Sequence, residues 1–402
     1  MSFDQLTVSG ASASGARTRL TFVVFGFVAV SGALIQIRGA LMSSFQDSFL
    51  VSESQLGLLT PVSTIGFTAA IILFGLFAGR LDARRAMSVG IALTGLALFA
   101  LGFAPFFLLL LLVEGFRNFA TGIFRALDRP VLSHLYTDSR GRILSLVGMV
   151  WALGAAAGPV FATVVMSVFG HSWQVVYFLL ALVCVPLAIL LVRQDFSGFE
   201  GSERSFAVND LRRVARKPRI HTMTVSLVLV GGIESGFFTW LPYYISQSYA
   251  QSTANLSLSV YLISYIPGRF GFSYLTSRYR NLNLLVASTL ILPIVLWLTL
   301  RVFEGTALLV SIFAVGLLMS GLFPTLITIG MDAVPSFSGP VNAMGNFSAR
   351  IGFFIVPALI GVLAQVYTIQ AAMGVQIALG AALTATILLF KMIESRSKTA
   401  AH

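Results

Sequence analysis

The sequence has few charged residues, four histidines and a single cysteine, and each shortage argues against a class of function. Only 10% of its 402 residues are Asp, Glu, Lys or Arg, whereas a typical soluble domain carries roughly 25%. Cys184 has no second cysteine with which to form an internal disulfide. No two of the histidines have the spacing of metal ligands. We therefore expect no disulfide, no metal and no cofactor.

Long apolar runs take the place of the missing charges. Hydrophobic residues make up 57% of the sequence and the mean hydropathy is +0.90. About twelve runs approach the roughly 20 residues that a helix needs to cross a ~30 Å hydrocarbon layer. We predict an all-α membrane protein with twelve spans near 20–42, 56–79, 86–104, 106–127, 143–168, 174–192, 221–245, 256–276, 282–300, 307–330, 342–364 and 370–391.

The positions of the basic residues predict the orientation. Short loops rich in Lys and Arg stay on the cytoplasmic side, and an even number of spans places both termini on the same side. The cations assigned inward are Arg17, Arg19, Arg80, Arg84, Arg85, Arg125, Arg129, Arg140, Arg142, Arg278 and Arg280. The intervening loops lack Lys and Arg, and Arg301 is the one outward exception. We predict a multi-pass protein of the cytoplasmic membrane with both termini inside.

The net charge of +11 does not indicate a nucleic-acid partner. The arginines are spread over the predicted inward loops, where they meet anionic lipid headgroups. We therefore expect membrane lipids and a small-molecule solute as partners, and a monomer.

The polar stretch 193–220 separates six predicted spans from six. Gly75 and Gly271 are 196 residues apart, and Pro159 and Pro357 are 198 apart. Such recurring offsets indicate an internal repeat. We predict a cytoplasmic tail (1–19, disordered), a first bundle (20–192), a cytoplasmic linker (193–220), a second bundle (221–391) and a second tail (392–402), with spans one, two and five equivalent to seven, eight and eleven.

Two motifs resemble those of the major facilitator superfamily. The loop between spans two and three reads Gly75-Leu-Phe-Ala-Gly-Arg-Leu-Asp-Ala-Arg-Arg85, and span five contains Gly154-Ala-Ala-Ala-Gly-Pro159. Shorter similarities occur at 139–142, 173–178 and 268–278. The resemblance implies the superfamily fold of two six-helix bundles and transport of a solute by alternating access. A faint similarity to fucose-permease-type symporters does not assign a substrate.

The resemblance also implies conformational roles for motif residues. A glycine at position 75 would allow close helix approach, and the basic residues would clamp helix ends. The acid and second glycine of the loop motif are exchanged here, so whether Asp82 replaces the usual acid at Gly79 stays open. The span-five motif is equally a generic helix contact. The conformational set is Gly75, Arg80, Asp82, Arg84, Arg85, Gly154, Gly158, Pro159 and Arg269.

Six charged residues fall inside the predicted spans. Such residues are costly in a bilayer and usually face a cavity, where they mark a path for solute or protons. They are Arg38, Glu114, Arg117, Glu234, Arg269 and Arg350. Glu114 and Arg117 are three residues apart, on one helix face near the midplane. Two interpretations stay open: Glu114 carries a proton while solute competes for Arg117, or the two form a permanent ion pair.

The remaining candidates line the predicted cavity. Asn342, Asn346 and Arg350 are spaced four apart, which places them on one face of span eleven. Arg38 and Glu234 are 196 apart and are predicted at matching positions of the two halves, as solute ligands or gates. We predict solute binding by Arg38, Arg117, Asn342, Asn346 and Arg350, and proton coupling by Glu114 and Glu234.

These residues favour a secondary active transporter. Four arginines against two glutamates favour an anionic, carboxylate-like solute, because an Arg contacts a carboxylate through two hydrogen bonds. A drug/proton antiporter is the alternative, because the span-five motif resembles one that is frequent in such members of the superfamily. A non-transporting membrane sensor is a further alternative. The sequence has no Gly-x-Ser-x-Gly, His-Glu-x-x-His or phosphate-binding loop, so we do not expect an enzyme. Trp240, Tyr243 and Tyr244 are either aromatics of the cavity or members of an interfacial aromatic belt, and we expect the belt.

Overall fold

The computed structural model describes residues 3–76, 82–194, 217–334 and 338–399. The described residues form helices joined by short turns. The helices before the central linker are α1 (Phe3–Ala40), α2 (Met42–Phe49), α3 (Glu53–Leu56), α4 (Leu59–Leu76), α5 (Ala83–Leu101), α6 (Phe107–Leu135), α7 (Arg140–Val168) and α8 (Trp173–Val192). After the linker follow α9 (Pro218–Ser246), α10 (Gln251–Ile263), α11 (Tyr265–Thr276), α12 (Asn281–Arg301), α13 (Gly305–Ser320), α14 (Leu322–Ala333), α15 (Ser338–Val366), α16 (Ile369–Ala372) and α17 (Gly374–Thr399).

Eleven of the described helices or helix pairs are long and apolar enough to cross a membrane. The eighth predicted span, 256–276, is not among these eleven and is divided at Ser264 into α10 and α11. The tenth, 307–330, is likewise divided at Gly321 into α13 and α14. Each break lies three residues before a proline, Pro267 or Pro324, whose ring clashes with the carbonyl of the preceding turn in a continuous helix. The twelve-span membrane fold is confirmed, and these two spans are each made of two helices.

Two segments predicted without structure are helical. The outer loop 43–55 contains α2 and α3. Ser52 starts α3 with a capping box, in which its hydroxyl accepts from the Gln55 amide and the Gln55 side chain accepts from the Ser52 amide. The expected disordered tail 1–19 is corrected as well, because α1 begins at Phe3.

The described chain forms two compact units whose division does not follow chain order. One comprises Met1–Ile37 and Val62–Arg204, and the other Arg38–Pro61 and Ser205–His402. Residues 38–61, which lie within the predicted first bundle 20–192, group with the second unit. The reason is packing: Tyr243 on α9 donates to Glu53 on α3 at 2.9 Å, and α3 lies against α15. Residues 195–216 of the predicted linker fall outside the described residues.

Each unit contains the same crossing of two helices through small residues. In the first unit, a Cβ on Gly154 of α7 would overlap the carbonyl oxygen of Ala29 on α1. In the second unit, a Cβ on Gly352 of α15 would overlap the carbonyl oxygen of Val228 on α9. Backbones approach this closely only where a side chain is missing. The repeated crossing supports the predicted equivalence of spans one and seven and of spans five and eleven.

The register of this repeat corrects one prediction. The residues that face the two glycines, Ala29 and Val228, are 199 apart in sequence. On that register Glu234 of α9 matches Ile35 of α1, and not Arg38. The offset of 196 was taken from Gly75 and Gly271 in other helices, and the repeats differ in the length of chain between helices. Arg38 and Glu234 are therefore not equivalent positions.

Candidate functional site

Glu114 and Arg117 form a bidentate ion pair inside the first unit. The Arg117 Nε donates to Glu114 Oε2 at 2.7 Å, and Nη2 donates to Oε1 at 2.6 Å. Both side chains are only 1% exposed. The third guanidinium nitrogen, Nη1, is buried and has no hydrogen-bond partner in the part of the chain that the structure describes. The ion pair therefore leaves one nitrogen of the Arg117 guanidinium, Nη1, without a hydrogen bond to the described residues.

Further donors surround the Glu114 carboxylate. The side-chain amide of Asn118 donates to Glu114 Oε1 at 3.0 Å, and the Ser63 hydroxyl on α4 donates to the same oxygen at 3.2 Å. Each oxygen of the Glu114 carboxylate therefore accepts at least one hydrogen bond. In this conformation the geometry fits the ion-pair interpretation of the two left open by the sequence.

A polar stripe runs along α15 in the second unit. Asn342, Asn346 and Arg350 all keep exposed surface. The Asn346 amide donates to Asn342 Oδ1 at 3.1 Å, and the Arg350 guanidinium lies 5.9 Å from the centre of the Phe353 ring. At about 100° per residue, the stripe lies between two other faces of α15. The packed face consists of Val341, Gly345, Ser348, Ala349, Gly352 and Val356, and the exposed apolar face of Phe347, Ile351, Phe354 and Ile355.

Because the three faces of α15 are separate, the polar stripe is directed neither at lipid nor at α9. The apolar face suits lipid chains, and the packed face meets α9. Polar groups on a third sector, clear of both, suit a water-filled opening. The three residues thus share a face, as predicted from their spacing.

Glu234 lies at the same level of the neighbouring helix α9. It is the only residue from Val230 to Tyr243 that is not fully buried. The Tyr265 hydroxyl donates to Glu234 Oε1 at 2.9 Å, and the Tyr261 hydroxyl lies 2.9 Å from that of Tyr265. The break at Ser264 separates these two tyrosines onto α10 and α11. Glu234 is therefore a partly exposed carboxylate that contacts a chain of two hydroxyl groups.

One aromatic contact relates Glu234 to the polar stripe. The rings of Phe238 and Phe353 are 6.0 Å apart. Phe238 lies one turn beyond Glu234, and Phe353 lies one turn beyond Arg350. The two helices run side by side, with Trp240 Nε1 on α9 donating to the carbonyl of Pro357 on α15 at 2.9 Å. The second unit thus carries an acid and a base at similar depth on adjacent helices.

Other predicted residues occupy different surroundings. Arg38 is 8% exposed and donates to the carbonyl of Leu59 at 3.2 Å, within the second unit. Arg269 is exposed, with its guanidinium 5.8 Å from the Tyr265 ring centre. Gly158 lies against Ala33, and Pro159 follows it inside α7.

The predicted loop motif is only partly described. Gly75 has no described heavy atom within 4 Å of where a Cβ would lie, so the expected close approach is not found at this position. Arg80 lies outside the described residues. Asp82 starts α5 by accepting from the Arg85 amide at 3.1 Å, and it pairs with the Arg85 side chain at 3.2 Å. Arg84 is half-buried.

Sequence reasoning missed Asp128. This residue is fully buried on α6, accepts from the Arg129 amide at 2.6 Å and pairs with Arg125. The predicted span ended at residue 127, whereas α6 continues to Leu135. The three-residue spacing of Arg125 and Asp128 is the signal that could have identified a helical pair.

The expected aromatic belt is wrong for two of its three members. Trp240 is fully buried, and Tyr243 is 3% exposed. The Tyr243 hydroxyl contacts Gln46 at 2.8 Å and Glu53 at 2.9 Å. Both aromatics pack inside the second unit because α3 and α15 cover them.

Solved transporters share this fold at low sequence identity. A bacterial homolog of the human lysosomal transporter Spinster, in an inward-facing and unoccupied conformation, matches with a TM-score of 0.81 and 13% identity, over 93% of this chain and 96% of that one. The nucleoside transporter NupG matches with a TM-score of 0.78 and 13% identity, over 93% and 98%. The Escherichia coli fucose:proton symporter FucP matches with a TM-score of 0.62 and 16% identity, over 92% and 98%.

Curated relatives and a family model agree with the fold. The TsgA homolog of Serratia proteamaculans is 23% identical over 322 residues, covering 78% of this chain and 80% of the relative. The TsgA homolog of Buchnera aphidicola is 19% identical over 314 residues, covering 77% and 80%. The Major Facilitator Superfamily model matches residues 20–337. Because that match spans most of the sequence, the chain belongs to the Major Facilitator Superfamily and is a transporter, not an enzyme.

Proposed function

We propose that this transporter is a secondary active carrier in the cytoplasmic membrane, which moves a small anionic, carboxylate-like solute by alternating access and couples it to protons. The polar stripe on α15 is the observation that carries the proposal. Arg350 offers a planar guanidinium that can bind a carboxylate through two parallel hydrogen bonds. The side-chain amides of Asn346 and Asn342, hydrogen-bonded to each other, lie one and two turns away. The carrier acts as a monomer.

Two carboxylates are candidates for the proton site, and their surroundings differ. Glu114 is sealed and holds Arg117, so it could exchange a proton only after that pair opens. Glu234 is partly exposed and contacts a neutral hydroxyl. In our proposal solute and proton meet at the second unit, with Glu114 as the coupling residue only if solute competes for Arg117.

The relatives support coupling in general terms. One solved neighbour is a fucose:proton symporter, another is a nucleoside transporter, and a third is related to a lysosomal transporter. These three transporters share one fold but are described by different functions, so the fold alone does not determine which solute is transported. The selection has to come from side chains such as Arg350.

A drug/proton antiporter is the second candidate. The Gly154–Pro159 motif suggested it, and the structure places both glycines at the crossing of α7 with α1. Because the same type of crossing recurs at Gly352, the motif is explained as a packing device. The partly exposed Glu234 would then be the group that attracts a cation. A non-transporting sensor would bind solute without moving it.

The test is a ligand screen with purified protein, followed by flux. A ligand that favours the folded state raises the apparent melting temperature. We expect carboxylates to raise it in the wild type, and sugars, amino acids and cationic dyes to have less effect. Arg350→Lys keeps the charge but loses the planar fork, so carboxylate affinity should fall about tenfold or more, which corresponds to roughly 1.4 kcal/mol.

The control is Arg193→Lys, at an exposed position just after α8. It should bind carboxylates as the wild type does. Stabilisation by cationic dyes, with unchanged affinity in Arg350→Ala, would instead favour the antiporter. Binding without any flux into proteoliposomes would favour the sensor.

A further inference from the structure

The second unit contains a cavity of about 310 Å³ at its outward end, separate from the polar stripe on α15. It lies where the ends of α9 and α12, the start of α13 and the short α16 come together. Its floor is apolar, formed by Ile245, Leu300 and Leu308, which are all buried. A pocket of this size accepts a small headgroup or metabolite.

Two residues of opposite charge line the cavity. Arg301 and Glu304 both line it and are both exposed. Within the described residues, neither side chain forms a hydrogen bond or an ion pair, although the two are three positions apart in sequence. The Arg301 guanidinium lies against the backbone of Gly374, where a Cβ would be 3.0 Å from its Nη2. Both charges are therefore available to a ligand.

Arg301 is also the exception that the orientation rule left unexplained. Cations are rare in short outward loops, and the other predicted outward loops have no Lys or Arg. A lone outward arginine beside a cavity, with a carboxylate near it, calls for a ligand that carries both an anion and a cation.

The wall between the two charges is apolar. Val302 and Phe303 connect Arg301 to Glu304 and are 48% and 37% exposed. Arg301 ends α12, a span of the bilayer, so these side chains stand at the level where acyl chains meet headgroups. A freely dissolved zwitterion has no apolar surface to bury against Val302 and Phe303. The glycerol and the first acyl carbons of a lipid would be buried against them.

We infer that the cavity binds a phosphate joined to a primary ammonium group, as carried by phosphatidylethanolamine in the outer leaflet. The phosphate is held by Arg301 and the ammonium group by Glu304. The hydroxyl of Tyr249 also lines the cavity and accepts from the Gly305 amide at 2.9 Å, so its own proton is free to reach a phosphate oxygen. Binding of this lipid does not depend on which solute the protein transports.

The lipids themselves provide the chemical contrast. Phosphatidylcholine keeps the phosphate but has no N–H to donate to Glu304, and phosphatidylglycerol keeps the phosphate but has no cation. We expect a higher melting temperature in nanodiscs of phosphatidylethanolamine mixed with phosphatidylcholine than in phosphatidylcholine alone or mixed with phosphatidylglycerol. Native mass spectrometry should show one retained phosphatidylethanolamine.

Variants test the assignment. Arg301→Gln and Glu304→Gln change exposed residues, so both variants should fold. In both, phosphatidylethanolamine should no longer raise the melting temperature, and the lipid should no longer be retained. Arg193→Gln, an exposed arginine outside the cavity, should keep them. Soluble phosphoethanolamine, added to protein in phosphatidylcholine, tests for a free ligand. If it alone reproduces the Arg301-dependent shift, the lipid assignment is overturned. A phosphatidylethanolamine effect that survives both cavity variants overturns the site altogether.

Discussion

Glu114 and Glu234 are both carboxylates inside spanning helices, but their neighbours give them different capacities. Glu114 accepts from a guanidinium, an amide and a hydroxyl within 3.2 Å. Glu234 accepts from one tyrosine and is partly exposed. A residue that is buried and fully paired can stabilise a fold, while an accessible one can exchange protons. From the sequence alone, Glu114 is the first candidate for the proton-coupling residue. The sequence shows which residues are charged, but it does not show which of them are exposed in the folded protein.

The ion pair makes a stability prediction. Removing one partner of a buried pair leaves the other charge uncompensated, at a cost of about 3–5 kcal/mol. Glu114→Gln should therefore lower the melting temperature strongly, since Arg117 would lose its counter-charge. The double variant Glu114→Gln with Arg117→Met should recover much of that loss.

Asp332→Asn is the control, because Asp332 is exposed, and it should melt like the wild type. The measurement is thermal unfolding in one detergent for all variants. If Glu114→Gln melts like the wild type, Glu114 carries a proton at that pH, and its role as a permanent anion is lost.

At the scale of helices, hydropathy predicts the spans well and their ends less well. Apolar runs located all twelve spans because burial in lipid demands them. The breaks at Ser264 and Gly321 were missed, although Pro267 and Pro324 were visible in the sequence. The extension of α6 to Leu135 was missed because charged residues end an apolar run without ending a helix. A helix needs its backbone hydrogen bonds, and it can continue into water with polar side chains.

Glycines on a single helix test the packing. In α7, a Cβ on Gly154 would overlap backbone atoms of Ala29, whereas Gly148 has no described heavy atom within 4 Å of its Cβ position. Gly154→Leu should force α1 and α7 apart and destabilise the protein by about 1–3 kcal/mol or more. Gly148→Leu, in the same helix, should have little effect. Thermal unfolding and the yield of monodisperse protein measure both, and equal losses would mean that the crossing is not tightly packed.

At the scale of the whole molecule, the repeat in the sequence predicted two related units but not their membership. Residues 38–61 group with the second unit, because Tyr243, Glu53 and Gln46 bond to one another there. Hydroxyl and carboxylate pairs between distant segments leave no periodic signal. Arg38, which was predicted as a solute ligand, is one of these residues, and its guanidinium donates to the backbone carbonyl of Leu59. The Asn342–Arg350 stripe was predictable because it depends only on helical spacing.

Transport assays decide which carboxylate couples the proton. Glu234 is accessible and Glu114 is sealed, so we expect Glu234→Gln to bind solute and exchange it by counterflow, but not to accumulate it on a pH gradient. A neutral amide keeps the hydrogen bond from Tyr265 and removes the site for a proton. The measurement is solute uptake by proteoliposomes, with and without an imposed pH gradient. The opposite result would be accumulation that survives in Glu234→Gln and disappears in a folded Glu114→Gln. That result would place the proton site at Glu114 in the first unit. Solute would then have to release Arg117 from Glu114 before Glu114 could be protonated.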